Sequence, residues 1–131
     1  MEDSLEQKLM AIKQEIIKEC CKSEEEVCGF VFGEEDFDIV PVKNIAKNKG
    51  DTFQISANDY LYVKNKYDPI AIYHSHPKGS EQPSTRDKKS SEVSCLPFII
   101  FSKETRKFFI YEPENCKDIS KLKNILYENQ D

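Results

Sequence analysis

At 131 residues the chain suits one domain around a single hydrophobic core and is too short for two ordinary ones. A net charge of −5 and the lack of a basic cluster speak against a nucleic-acid partner. The longest apolar run, residues 96–101, is far below a membrane span, and the charged start MEDSLEQKLM lacks the apolar core of a signal peptide. No membrane partner is therefore expected.

In chain order, Leu5, Leu9, Ile12, Ile16 and Cys20 recur at helical spacing, which predicts an amphipathic helix over residues 5–21 with one stripe on the core. Residues 27–33 then read as a buried strand and 37–42 as its hairpin partner, with Gly33 to Asp36 as the turn. Residues 44–51 are loop-like and 52–56 predict a further strand. A short helix follows through about residue 66, with Ser56 or Asn58 as its cap. Residues 69–73 form an apolar strand that delivers His74 and His76 at its end. After a loop with Pro77, Gly79 and Pro83, a helix begins near Ser84. Residues 98–102 and 107–111 predict a hairpin around Lys103-Glu104-Thr105, and Asp118 can cap a last helix. Strands in the middle with helices before, within and after them make a mixed α/β (α+β) sandwich, one domain over residues 1–131.

The five cysteines, Cys20, Cys21, Cys28, Cys95 and Cys116, are odd in number and contain no CxxC pair. They read as reduced thiols in a cytoplasmic compartment, and Cys28 reads as a core strand residue. The histidines carry more. The chain has only two, and both stand in YHSHPKGSEQPSTRD. On an extended segment, residues two apart project from one face, so His74 and His76 can converge on one ion. Zinc in a hydrolytic site takes three protein ligands and keeps a position open. Asp87 is the attractive third ligand, because Ser84 after Pro83 predicts a helix N-cap and sets Asp87 in the first turn. A general base for the water could come from Glu24, Glu25 or Glu26, just before the buried strand, and strand parity does not choose among them. Each piece alone has a plainer reading: Ser-x-x-Asp as a capping box, the glutamates as a solvated turn. The conjunction favours a site. Tyr73 and Lys78 flank it, while Lys88 and Lys89 read as a solvated helix face.

His74-Ser75-His76-Pro77, then Ser84 and Asp87, resemble the JAMM (JAB/MPN+) zinc-metalloprotease signature H-[ST]-H-P-x6-S-x2-D. Glu26-Val27-Cys28-Gly29-Phe30-Val31-Phe32-Gly33 is similar to the family's E-x-C-G-hydrophobic-G strand. The resemblance implies a cytidine-deaminase-like three-layer α/β/α sandwich. It also implies zinc on His74, His76 and Asp87, Glu26 as general base and Ser84 as stabiliser of the oxyanion. Asn44-Ile45-Ala46, Thr52-Phe53-Gln54-Ile55 and Leu96 to Ile100 resemble the phage branch, the JAMM domain of lambda-type tail assembly protein K. Proteins of that branch often carry a second, NlpC/P60-type cysteine peptidase domain, which these residues do not include. Residues 78–82 lack the Gly-Phe-x-Cys-Trp of ubiquitin-directed members. The implied activity is a peptidase or isopeptidase on a protein or peptide, a phage tail protein among the partners, in the host bacterial cytoplasm or the tail. The alternatives are a non-catalytic tail-tip assembly module and a processing protease for a bacterial ubiquitin-like or sulfur-carrier protein.

Overall fold

The structure, a computed structural model, describes residues 2–130, with side chains from residue 11 onward. Its elements in chain order are α1 (Glu2–Cys20), β1 (Cys28–Phe32), β2 (Asp38–Val42), α2 (Ala57–Tyr67), β3 (Ala71–His76), α3 (Thr85–Ser94), β4 (Phe98–Ser102), β5 (Phe108–Tyr111) and α4 (Ser120–Tyr127). The strands form one sheet in the order β2-β1-β3-β4-β5. Only β3 and β4 run parallel, joined by α3 as the crossover that a parallel pair requires.

Strand alternation sorts the side chains into two layers. Val31, Ala71, Tyr73, Ile99 and Phe101 turn to one face, where Ile12, Ile16 and Cys20 of α1 and Leu122 and Leu126 of α4 bury them. Phe30, Ile72 and Phe98 turn to the other face, covered by Val63 of α2 and the partly buried Phe53 and Tyr60. The result is helix, sheet, helix: the α/β/α sandwich expected. The helical stripe holds at Ile12, Ile16 and Cys20, all buried; Leu5 and Leu9 lie outside the described side chains. No described helix is long and apolar enough to cross a membrane.

Two local expectations change, and a third is narrowed to one of its two alternatives. Residues 52–56 form no strand. Apart from a turn bond from Thr52 N to Asn48 O and the first bond of α2, a single backbone bond reaches them, from Ile45 N to Gln54 O, and the Asn44 side chain occupies the neighbouring positions a ladder would use. Ser56, not Asn58, caps α2, accepting from Asp59 N. Asp118 accepts from Ser120 N one residue ahead of the N-cap position of α4, Ile119. The sheet's outer edges are also shut. On β5, Phe108 exchanges two hydrogen bonds with the Gln130 side chain, and Ile110 N donates to Tyr127 Oη. On β2, Ile39 N donates to Asp38 Oδ1 and Pro41 has no N–H, which blunts edge-to-edge pairing.

Gly29 pairs with Tyr73 across β1 and β3. A Cβ at Gly29 would stand 2.4 Å from the Tyr73 ring, inside a layer with no slack. Gly29→Ala is therefore expected to destabilise the domain by about 1–3 kcal/mol, read as a drop in the midpoint of thermal or urea unfolding. An unchanged midpoint would contradict this packing.

Candidate metal centre

The register of two strand pairs builds the centre. Cys28 lies opposite His74 in the antiparallel β1–β3 pair, and the pairing extends one step, through Ser75 N to Val27 O at 3.0 Å. The Ser75 hydroxyl accepts from Val27 N. Beyond that point Glu26 follows at the level of His76, on the face that also carries His74. Among the three glutamates, Glu26 is buried at 6% exposure, whereas Glu24 and Glu25 are exposed. Burial thus separates residues that sequence parity leaves equal.

The third segment arrives through α3. Ser84 Oγ accepts from Asp87 N at 3.0 Å, and Ser84 N donates to Asp87 Oδ2 at 3.0 Å, a complete capping box. The plain reading of Ser-x-x-Asp therefore holds. The same box fixes the Asp87 carboxylate between the imidazoles: Oδ1 stands 3.2 Å from His74 Nε2 and Oδ2 3.2 Å from His76 Nε2. Ligand atoms of Glu26, His74 and His76 lie within 4.8 Å of one another. These residues form a group able to hold a metal ion.

The donor set fits a divalent cation on three grounds. His76 Nδ1 stands 2.9 Å from Ser80 O, and a carbonyl accepts only, so Nδ1 carries a hydrogen and Nε2, hydrogen-bonded to Asp87 Oδ2 at 3.2 Å, is the nitrogen that can bind a metal once it gives up its proton. Such a backbone acceptor behind an imidazole is the usual support of a ligating histidine. His74 is fully buried, yet neither of its ring nitrogens has a hydrogen-bond partner. Its Nε2 is within ion-pair distance of Asp87 but off the line of a hydrogen bond. A buried ring with neither nitrogen satisfied is unusual, and a cation on Nε2 would supply the missing partner. Finally, ligand atoms at zinc distances in a tetrahedron stand roughly 3.3–3.6 Å apart, near the 3.2 Å from Asp87 to each imidazole.

Prokaryotic homologs of the JAB domain match over residues 10–112 of this chain. The chain belongs to this JAB-domain family. It is also similar to the Tail tip assembly protein K of Escherichia phage N15, 32% identical over 78 residues, or 59% of this chain. The match spans about a third of that phage protein's length (32%). Among solved structures it resembles the solution structure of protein DSY2949 from Desulfitobacterium hafniense, with a TM-score of 0.56 and 19% identity over 80% of this chain and 82% of that one. This last likeness bears on the fold alone.

Around the JAB-domain centre, burial sets the charges. His74 is pushed below the ordinary imidazole range by desolvation, against the pull of Asp87. At His76 burial also works against the charge, but the bonds to Asp87 and Ser80 outweigh it and the pKa is raised. Asp87 is held well below the carboxylate range: desolvation opposes this, and the two imidazoles with the Ser84 N–H overcome it. Glu26 moves the other way, up to about 8, by desolvation first and the Asp87 charge besides.

Cys28, buried beside Glu26, is pushed up to about 12 by desolvation, so it remains a thiol and not a nucleophile, as its strand position implies. Tyr73 is turned to the opposite face of the sheet and is fully buried, so it does not flank the centre in space. Lys88 and Lys89 are exposed, as expected of a solvated helix face. Sequence reasoning missed Asn44 and Phe53 as parts of the site. The Phe53 ring stacks on His74 with centroids 4.4 Å apart and, with Asp51, Ser84, Arg86 and Asp87, lines a cleft of about 180 Å³ beside the centre. A larger cavity of about 590 Å³ shares none of the site's residues.

The Glu26 shift has a stability consequence in the metal-free domain. A carboxyl whose folded pKa lies near 8, above its unfolded value, costs nothing below about pH 4.5, and its penalty grows up to about pH 8 and is constant above. Glu26→Gln removes that penalty. In thermal melts of metal-free protein, the variant is expected to gain most over the wild type near pH 9 and least near pH 5. A pH-independent difference would contradict the buried carboxyl.

Proposed function

We propose that this JAB domain is a zinc-dependent peptidase or isopeptidase, with His74, His76 and Asp87 as metal ligands, Glu26 as general base and Ser84 as an oxyanion donor. The observation that carries this reading is the Asp87 carboxylate 3.2 Å from each imidazole, with an orphaned, fully buried His74 nitrogen and a second carboxylate within 4.8 Å of the histidines. A bound zinc ion supplies a Lewis acid that brings the pKa of a water to roughly 7.

The residues of the chain do the rest. Glu26, buried and held near neutrality, accepts the proton of the attacking water and passes it to the departing amine. Its pKa of about 8 in the metal-free domain suits a group that both takes and gives a proton, and a cation beside it draws that value down. Ser84 Oγ spends a lone pair on Asp87 N and keeps its own hydrogen free to donate to a developing oxyanion. Its exposure at the mouth of the cleft suits contact with a substrate carbonyl. Phe53 and the surrounding strands keep bulk water from the inner imidazole.

The likeness to a tail tip assembly protein of a phage supports a phage tail protein as substrate or partner, met in the host bacterial cytoplasm or the tail. It also supports a second reading, a tail-tip assembly module that binds without cutting. Zinc analysis and peptidase assays on three proteins separate the two. The wild type is expected to bind one zinc and cleave. Glu26→Gln should keep the zinc and lose about 10²–10⁴-fold in kcat, and His76→Ala should lose both zinc and activity. Wild-type protein that takes up no zinc after reconstitution, or hydrolysis that survives in both variants, would contradict the peptidase.

A further inference from the structure

Residues 43–56 cross the mouth of the centre with almost no ladder bonding of their own, so something else must hold them in place. Asn44 does. Its side chain is buried, and its polar atoms have four partners in three segments. Nδ2 donates to Glu26 O at 2.9 Å and to Thr52 O at 3.0 Å. Oδ1 accepts from Ala46 N and Gln54 N, each at 3.0 Å. Two carbonyls face the amino group and two N–H groups face the oxygen, so the amide has only one orientation that satisfies all four.

Two of these contacts bracket Phe53, at Thr52 O and Gln54 N, and Phe53 is the ring stacked on His74. A third contact holds the peptide of Glu26. The N–H of the same residue donates to Lys49 O at 2.7 Å, so both backbone groups of Glu26 bond to this loop and neither bonds to the sheet. Glu26 thus leaves the ladder just where it enters the site, and the loop anchored by Asn44 sets its place. We propose that Asn44 is a positioning residue that fixes the Glu26 carboxylate and the Phe53 ring on His74 relative to one another. The functional half of this inference rests on the peptidase reading; the structural half does not.

Asn44→Asp is the informative variant. It preserves both acceptor contacts and sets an oxygen against two carbonyls in place of the amino group. The chain has only two histidines, so imidazole NMR spectra of metal-free protein give two sets of ring signals. In the wild type the His74 ring protons are expected upfield through the stacked Phe53, a shift that Phe53→Leu abolishes. Asn44→Asp should lose most of that shift and speed exchange of the Glu26 amide hydrogen. In zinc-loaded protein it should lower kcat about 10- to 100-fold with little change in KM or zinc stoichiometry, and add nothing further in a Glu26→Gln background.

A His74 shift untouched by Asn44→Asp, or a kcat loss of equal size with and without Glu26, would overturn the assignment. If substitutions at position 44 do not fold, the wild type still decides: an Asn44 side-chain amide that exchanges as fast as a solvent-exposed one would overturn it, and a protected one supports it. Wild-type protein that binds zinc and cleaves nothing refutes the peptidase, while the His74 shift and the amide exchange still judge the placement of Asn44.

Discussion

One carboxylate lying between two imidazoles, 3.2 Å from each, is the constraint on which the site depends. Gathering His74, Asp87 and Glu26 into a buried pocket is costly, because desolvation penalises every charge that enters it. The fold offsets the cost at the edges, with the capping box behind Asp87 and the Ser80 carbonyl behind His76. At the centre the bond between His76 and Asp87 offsets it only in part. Neither ring nitrogen of His74 has a hydrogen-bond partner, although Asp87 is bonded to His76, and burial penalises the charged form of His74. A cation bound there would give the buried His74 ring a partner and balance the carboxylate charge.

Each side chain in that group is held by a different short-range device. The β1–β3 register sets His74, His76 and Glu26 on one face. A helix cap sets Asp87, and a loop organised by Asn44 holds the backbone of Glu26. The histidines sit on a central strand paired on both sides, which gives the site its rigid floor, while Glu26 and Asp87 enter from segments outside the sheet. Such a division suits the proposed peptidase, in which two ligands stay fixed and Glu26 is tuned by its surroundings. Membership of the prokaryotic JAB-domain family agrees with this arrangement without prescribing what it acts on.

Much of this was legible in the sequence because it depends on local rules. The two-residue spacing of His74 and His76 needs only strand alternation to place both on one face. Ser84 after Pro83 needs only capping chemistry to place Asp87 in a first turn. The stripe at Ile12, Ile16 and Cys20 needs only helical periodicity. What the sequence left open depends on long-range register or on side chains that replace backbone. Glu24, Glu25 and Glu26 are chemically alike, and it takes the fold to bury the last and expose the others. Residues 52–56 have strand composition, yet they find the Asn44 amide instead of a neighbouring strand. Tyr73 adjoins the histidines in sequence, but alternation turns it into the opposite layer over Gly29. Asn44 opens a polar loop, where an exposed amide is the ordinary expectation, and nothing in the composition says that this one is buried.

Crystals loaded with zinc and measured on both sides of its absorption edge test the central claim most directly. The account predicts a single anomalous peak bonded to His74 Nε2, His76 Nε2 and an Asp87 oxygen at about 2.0–2.2 Å, with the Glu26 carboxylate beyond bonding reach. A map with no peak between the imidazoles, or one in which Glu26 takes the place of Asp87 as the third ligand, would contradict it.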